Sequence, residues 1–249
     1  EVPLSEASRF GIMVTDDTGR ITEFQEKPKN PTSTKASMGI YIFNTKVLEK
    51  YLIDDENTPG SSNDFGKNII PNMLGDGMKM YTFPFEGYWK DVGTISSLWE
   101  ANMDLLGEKP EFNVHDKKWR IFSRNYAAPP HYVGEDGNVS DSIVSEGCEI
   151  YGTVEHSVLS GNVIVEKGAI VKDSVIMSGT VIKSGAVVNY SIIDSNSIVS
   201  ENAKVGEDKE GAKGIAVIGS GLCVEPNVVI NSEAMINSDA FDGITSIEE

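Results

Sequence analysis

The apolar positions of the second half of the chain recur every six residues. The series runs through Val144 and Ile150, then Val158, Ile164, Ile170, Ile176, Ile182 and Val188, then Ile193, Val199 and Val205, and last Ile218, Val224, Ile230 and Ile236. Gly, Ser, Asn and Lys occupy many of the positions between them. A period of six fits neither an α-helix nor an alternating strand. It predicts a parallel β-helix of hexapeptide repeats, in which these aliphatic side chains stack inward from coil to coil.

Interruptions of this period predict the other features of the second domain. The period shortens by one residue between Val188 and Ile193, and residues 206–215 form an excursion that predicts a loop leaving one coil. A Pro-containing segment at 107–131 separates the repeats from what precedes them. We therefore predict a first domain over 1–106, a linker over 107–131 and a β-helix domain over 132–249.

The first domain shows patterns of short strands and helices. Residues 10–15 and 21–26 predict a hairpin, 37–43 a central strand that is apolar on both faces, and 79–85 a further strand. Residues 95–106 predict a helix with one apolar face, which Thr94 would cap and which could pack against another subunit. Strands alternating with helices indicate an α/β layer.

Composition excludes several classes of function. The net charge is −17 with no basic stripe, so we expect no nucleic-acid partner. There is no apolar run long enough to span a bilayer, and we expect no membrane association. Cys148 and Cys223 stand in unlike surroundings and predict no disulfide, as in the reducing cytoplasm. Because the chain opens at Glu1 on a polar segment, we interpret it as a fragment that lacks an N-terminal part.

Two places carry candidate chemistry. Glu26 and Lys27 come at the end of a predicted strand, and Pro28 should hold Lys27 in an extended conformation. Asp91 follows two aromatic residues and precedes Gly93 and a helix, so we predict that it lies at a strand-to-helix corner. A carboxylate fixed there suits Mg²⁺, which prefers oxygen ligands and bridges phosphates.

Three motifs in this order, followed by hexapeptide repeats, resemble one family of enzymes. They are Glu26-Lys27-Pro28, Ser37-Met38-Gly39-Ile40-Tyr41 and Tyr88-Trp89-Lys90-Asp91-Val92-Gly93-Thr94. Together they resemble bacterial glucose-1-phosphate adenylyltransferase, over essentially the whole chain. The resemblance implies the C-terminal part of a Rossmann-like nucleotidyltransferase domain, followed by a left-handed parallel β-helix.

The resemblance also implies an activity and a set of site residues. The activity is the Mg²⁺-dependent formation of ADP-glucose and pyrophosphate from ATP and glucose 1-phosphate, for glycogen biosynthesis. Gly11, Glu26, Lys27 and Ser37 match glucose 1-phosphate-binding positions, and Asp91 matches a metal-binding, catalytic aspartate. The Gly-rich nucleotide loop of the family does not occur in this chain.

Assembly and regulation are further expectations. The flat aliphatic faces of the β-helix and the apolar face of the 95–106 helix can bury surface between subunits, so we expect a homotetramer, or a hetero-oligomer with a paralogous subunit. The resemblance implies an allosteric enzyme. Relatives inhibited by AMP carry basic residues where this chain has Asn189 and Tyr190. We therefore do not expect AMP to act at that place.

Three other functions compete with this interpretation. A non-catalytic regulatory subunit would have no need of Lys27 and Asp91. Another sugar-1-phosphate nucleotidyltransferase stays open, because the residues that read the base are not in this sequence. An acyltransferase would need a catalytic histidine in the β-helix, for which His156 is the candidate, although we expect His156 to point to solvent at a coil corner.

Overall fold

The chain divides into two compact units. A computed structural model describes residues 1–122 and 127–237, and its contacts separate Glu1–Trp89 from the unit that begins at Lys90. The elements of the first unit are a 3₁₀ turn at Ala7–Arg9, strands β1 (Gly11–Thr15) and β2 (Ile21–Glu26), helix α1 (Thr45–Glu56), a π-helical turn at Phe65–Ile69 and helix α2 (Ile70–Gly75).

The predicted hairpin is present and forms the centre of the first unit. Strands β1 and β2 pair antiparallel, with Gly11 opposite Glu26. On the other side of β1 a short segment pairs through two backbone hydrogen bonds, from Met13 N to Lys35 O (2.9 Å) and from Ser37 N to Gly11 O (2.7 Å). Strand β1 therefore lies between β2 and the segment that leads into Ser37.

The two further strands predicted in this unit are wrong. Beyond the bridge between Ile12 and Ala36, residues 37–43 form no ladder, and Ile42 is fully exposed. In the segment 79–85 only the bridge between Arg20 and Tyr81 is present. An apolar run becomes a central strand only where strands pair with it on both sides. Among the described residues of this unit, only strands β1 and β2 offer edges with which a further strand could pair.

The helices of this unit follow their sequence signals more closely. Helix α1 spans 12 residues, and the Asn44 side chain caps it by accepting from Lys46 N. Pro71 stands in the first turn of α2, where its missing N–H costs nothing. The π-helical turn just before it begins after Asp64, whose side chain accepts from Lys67 N.

The second unit contains the predicted parallel β-helix. Its described strands form three six-stranded parallel sheets, which are the three faces of the solenoid. The first face comprises β3 (Tyr132–Val133), β6 (Glu149–Ile150), β9 (Ile164–Val165), β12 (Val181–Ile182), β15 (Ile198–Val199) and β18 (Cys223–Val224). The second comprises β4 (Asn138–Ser140), β7 (Thr153–Glu155), β10 (Ile170–Lys172), β13 (Val187–Asn189), β16 (Lys204–Val205) and β19 (Val229–Ile230). The third comprises β5 (Ile143–Val144), β8 (Val158–Leu159), β11 (Val175–Ile176), β14 (Ser191–Ile193), β17 (Ala216–Ile218) and β20 (Met235–Ile236).

The inward stack differs from the prediction in one coil. Ile176, Ile182 and Val188 are fully buried, as predicted. In the preceding coil the inward residues are Leu159, Val165 and Val171, one position later than the predicted Val158, Ile164 and Ile170. Each strand there carries two adjacent aliphatic residues, so hydrophobicity alone does not choose between them. Parallel pairing decides, because it places Leu159 beside Ile176 and Val165 beside Ile182.

Buried serine hydroxyls close one corner of successive coils. Ser157, Ser174 and Ser191 are fully buried, and each donates through Oγ to the backbone carbonyl two residues earlier, over 2.6–2.7 Å. Each of these hydroxyls except the last also accepts the backbone N–H of the next serine, 17 residues further along. The residue before each serine has a left-handed backbone, with φ between 42° and 48°. The hydroxyls therefore satisfy backbone groups that the tight corner leaves without ladder partners.

Helix α3 (Ile95–Met103) belongs to the second unit and lies on the third face. Thr94 caps it as predicted, accepting from Ser97 N at 3.1 Å. Its apolar face, centred on buried Trp99, packs against Val175 and Ile192 of the same chain. The expectation that this face packs against another subunit is therefore wrong. The packing also explains why this helix groups with the second unit.

Several smaller expectations concern the rest of the second unit. Cys148 and Cys223 are free thiols, as predicted, and burial raises the pKa of Cys148. The excursion after Val205 leaves the solenoid and the ladder resumes at β17. In the described part of the chain, no helix has the length and apolarity needed to cross a membrane. Residues 123–126 of the predicted linker and 238–249 of the predicted β-helix domain lie outside the described residues.

The register of the stack predicts unequal effects of two identical substitutions. Ile182 is fully buried, whereas Ile170 is 41% exposed on the outside of the second face. Ile182→Ala should lower the free energy of unfolding by about 2–5 kcal/mol, because it removes core contacts and leaves a cavity. Ile170→Ala should lower it by less than about 0.5 kcal/mol. Urea denaturation followed by circular dichroism measures both, and equal losses would contradict the register.

Candidate functional site

Four residues singled out in the sequence meet at one end of the hairpin. Gly11 begins β1 and stands opposite Glu26, the last residue of β2. Lys27 comes next, and its backbone N–H donates to Phe10 O at 3.1 Å. Ser37 lies on the far side of β1 and donates its N–H to Gly11 O. The hairpin therefore brings Gly11, Glu26, Lys27 and Ser37 together around the first residue of β1.

Two glycines make room for the carboxylate of Glu26. A methyl group at Gly11 would lie 2.6 Å from Phe24 Cζ and 3.1 Å from Glu26 Oε2. On its other side, Glu26 Oε2 comes so close to Gly66 that a side chain there would overlap with it. Gly66 belongs to the π-helical turn, an irregularity that often occurs at functional sites. Glycine at both positions lets backbone approach the carboxylate closely.

Lys27 does not have the predicted extended backbone. Its φ is 45°, in the left-handed region, so the prediction from Pro28 is wrong. The bond from Lys27 N to Phe10 O ends the hairpin, and the chain turns directly after it. A left-handed conformation costs a side-chain-bearing residue about 1–3 kcal/mol and persists only where its surroundings fix it. The ammonium group is 3.9 Å from Glu26 Oε1, and the side chain is 66% exposed, so it is accessible to an anion.

Two aromatic residues at this site were not singled out in the sequence. The hydroxyl of Tyr41 is 2.9 Å from Ser37 Oγ. The ring of Tyr41 stacks on Phe65, with centroids 5.8 Å apart and an interplanar angle of 18°. Phe65 directly precedes Gly66, the glycine that comes close to Glu26 Oε2. The signal that could have identified Tyr41 is its place four residues after Ser37 in the quoted motif.

Asp91 lies in the second unit, three residues before the cap of α3. No strand leads directly into it in the described structure, so the predicted strand-to-helix corner is wrong, although the helix follows as expected. The Asp91 carboxylate folds over Gly93, where an added methyl group would lie 3.2 Å from Oδ2. The chain before Asp91 is not a strand for the same reason as residues 79–85. It has too few neighbouring strands to form a ladder.

The residue before Asp91 is held by two carboxylates. Lys90 Nζ is 3.0 Å from Glu100 Oε2 and 3.3 Å from Asp104 Oδ2. Burial by itself lowers the pKa of Lys90, but the hydrogen bonds that it donates to Glu100 and Asp104 outweigh this, and its pKa is raised. Lys90 is therefore charged throughout the neutral range.

The fit of Mg²⁺ to these residues can be judged from the donor atoms. Among the described residues, no three His, Cys, Asp or Glu side chains come together as a complete metal site. Mg²⁺ is commonly held by one or two carboxylates, with phosphate oxygens and waters completing its shell. Asp91 offers one hard oxygen donor, which fits that mode of binding.

The histidine considered for acyl transfer has a structural partner. His156 does stand at a coil corner, with φ of 43°. Its Nδ1 lies 2.7 Å from Asp173 Oδ1 of the next coil, so it does not simply point to solvent as expected. This pair joins consecutive coils, which gives His156 a structural explanation.

Comparisons with known proteins bear directly on the resemblance. The family model described as nucleotidyl transferase matches residues 1–108, and the one described as GlmU-like C-terminal hexapeptide matches residues 129–225. The chain is 61% identical over 170 residues to a glucose-1-phosphate adenylyltransferase of Clostridium botulinum, covering 68% of this chain and 44% of that protein. This chain is a homologue of the glucose-1-phosphate adenylyltransferases.

Other relatives carry the same name. Those of Acetivibrio thermocellus and Bacillus cereus are each 55% identical, over 168 and 170 residues. The match covers 68% of this chain in both cases, and 39% and 45% of those proteins. The chain thus spans less than half the length of the curated relatives it matches. The predicted resemblance is confirmed, as is the predicted order of a nucleotidyltransferase domain and a hexapeptide β-helix.

Proposed function

We propose that this chain is the sugar-phosphate side and the β-helix of a glucose-1-phosphate adenylyltransferase. The reaction joins ATP and glucose 1-phosphate into ADP-glucose and pyrophosphate, and serves glycogen biosynthesis in the cytoplasm. The observation that carries the proposal is the meeting of Gly11, Glu26, Lys27 and Ser37 at one end of the hairpin. The names of the relatives support the choice of substrates.

The proposed roles follow from the chemistry of each side chain. Lys27 presents an exposed point charge to the phosphate of glucose 1-phosphate. Glu26 accepts hydrogen bonds from sugar hydroxyls, and Gly11 and Gly66 leave space beside it. Ser37 adds a hydroxyl whose position is fixed by Tyr41. A phosphate oxygen of the bound sugar then attacks the α-phosphorus of ATP, and the bond to the β-phosphate breaks as pyrophosphate leaves.

Asp91 is the proposed protein ligand of the catalytic Mg²⁺. The ion supplies charge neutralisation for the phosphates in this reaction when it is bound. The remaining contribution of the protein is to position two anions next to one another. The residues of this chain do so by binding and orienting the sugar phosphate.

Replacement of Lys27 should affect one substrate selectively. In the natural protein encoded by the full reading frame, Lys27→Gln removes a charged hydrogen bond of about 1.5–3 kcal/mol. The Michaelis constant for glucose 1-phosphate should rise roughly ten- to a hundred-fold or more, and that for ATP little. Lys27→Arg should restore binding only in part, because a planar fork replaces a point charge. Steady-state kinetics with each substrate varied measures this.

The exposed Lys29 provides a matched control, since Lys29→Gln makes the same charge change two residues away. Equal rises for both substrates would mean that Lys27 supports the domain as a whole. If the Michaelis constant for glucose 1-phosphate does not rise, Lys27 is not part of a glucose 1-phosphate site. A natural protein without turnover would favour a regulatory subunit.

The metal role of Asp91 predicts a loss of turnover without a loss of fold. Asp91→Asn in the natural protein removes the charge of a metal ligand and should lower kcat by orders of magnitude. Asp17→Asn, an exposed surface change, is the control. The assay is pyrophosphate release at saturating Mg²⁺, with circular dichroism to monitor folding. Unchanged turnover would remove Asp91 from the mechanism.

We further propose that the natural protein is an allosteric homotetramer. Support comes from aliphatic side chains outside the solenoid, where Ile170 and Val229 of the second face are both more than two-fifths exposed. Closed symmetry is the usual outcome of such self-association. Light scattering should give four times the protomer mass at micromolar concentration, and a monomer there would contradict the proposal.

A further inference from the structure

Lys90 joins the segment that carries Asp91 to the far end of helix α3. Of its two partners, Asp104 is the residue that ends the helix, and Glu100 stands one turn before it. The lysine side chain thus reaches from the chain before the N-terminus of the helix to its last turn. The start of the second unit is therefore folded back along the helix that follows it.

The two carboxylates need a cation at this place. Glu100 and Asp104 are four residues apart, a spacing at which like charges on a helix repel. Both lie at the C-terminal end of α3, where the helix dipole also disfavours negative charge. The side chain of Lys90 is 29% exposed and that of Asp104 is 17% exposed, so water screens this pair less than a surface pair. The ammonium group is thus held between the two acids.

Helix α3 is itself fixed on the solenoid. Trp99 donates through Nε1 to Asp173 O at 2.7 Å and meets the ring of Tyr190 edge-on at 4.9 Å. From the loop that leaves the solenoid, Lys209 Nζ lies 4.5 Å from the centre of the Trp99 ring. These contacts fix helix α3, so the carboxylates of Glu100 and Asp104 to which Lys90 binds are held in place.

We infer that Lys90 is a positioning residue for Asp91. Adjacent Cα atoms are about 3.8 Å apart, so fixing residue 90 on α3 restricts where the Asp91 carboxylate can lie. In this inference Lys90 contacts neither metal nor substrate and acts only through its neighbour. The inference rests on the proposed role of Asp91 as a Mg²⁺ ligand.

The test measures metal binding directly. Mn²⁺ replaces Mg²⁺ at oxygen sites and is detected by electron paramagnetic resonance, so its affinity for the natural protein can be measured without turnover. Lys90→Met should weaken Mn²⁺ binding roughly ten- to a hundred-fold, the range typical of residues that orient a metal ligand. Lys90→Arg should retain most of the affinity, because a guanidinium can bond to both carboxylates.

Lys183 provides a matched control in the same unit. Its Nζ is 2.9 Å from Glu166 Oε1, and both side chains are about one-third exposed, so Lys183→Met also breaks a half-buried ion pair. That variant should bind Mn²⁺ as the natural protein does. If Lys183→Met and Lys90→Met weaken binding equally, the effect is one of general stability and the inference fails.

A triple variant separates positioning from charge balance. In Lys90→Met/Glu100→Gln/Asp104→Asn the two acids no longer repel, so the helix should fold even if the single variant does not. Mn²⁺ binding should stay weak, and natural affinity in this variant would overturn the inference. Asp91→Asn in the same assay tests the proposed function separately. If Asp91→Asn weakens binding and Lys90→Met does not, only the inference about Lys90 is wrong.

Discussion

The buried hydroxyls at one corner of the solenoid are the interaction on which the second unit depends. A coil of 17 residues must turn there with a left-handed residue such as Asp173, and the turn leaves backbone groups without ladder partners. Ser174 satisfies one carbonyl of its own coil and accepts an N–H from the next. Since an unsatisfied buried backbone group costs about as much as a lost hydrogen bond, the parallel faces can form only if such a corner is closed. The stacked aliphatic core and the face that receives α3 follow from that regularity.

The features of this fold that could be predicted from the sequence are those that a local pattern of residues determines. The six-residue period, the hairpin and the Thr94 cap are local signals, and the structure contains all three. The inward register of the coil before Ile176 was missed because its strands each carry two aliphatic residues. The 17-residue spacing, visible in the sequence as the one-residue shortening after Val188, would have fixed it. The serine corners were missed because serine is common in loops for many reasons.

At the candidate site, the motifs predict which residues take part but not their conformations or their neighbours. The motifs identified Gly11, Glu26, Lys27 and Ser37, and the hairpin register explains why residues so far apart in sequence lie together. The conformation of Lys27 could not be predicted from Pro28, since a hydrogen bond across the hairpin decides it. Tyr41 and Gly66 act through neighbours that only folding supplies, namely Ser37 and the carboxylate of Glu26. The packing of α3 on its own chain likewise depended on contacts distant in sequence.

The excursion between β16 and β17 has a consequence for how such a protein can evolve. Strands β14 and β17 pair in register although the coil between them is longer than 17 residues. The core thus constrains the flat faces and leaves the length of a corner free. A lineage can therefore lengthen or rewrite the loop that holds Lys209 over Trp99 without repacking the interior. Selection can then change the contact between this loop and helix α3 independently of the stability of the solenoid.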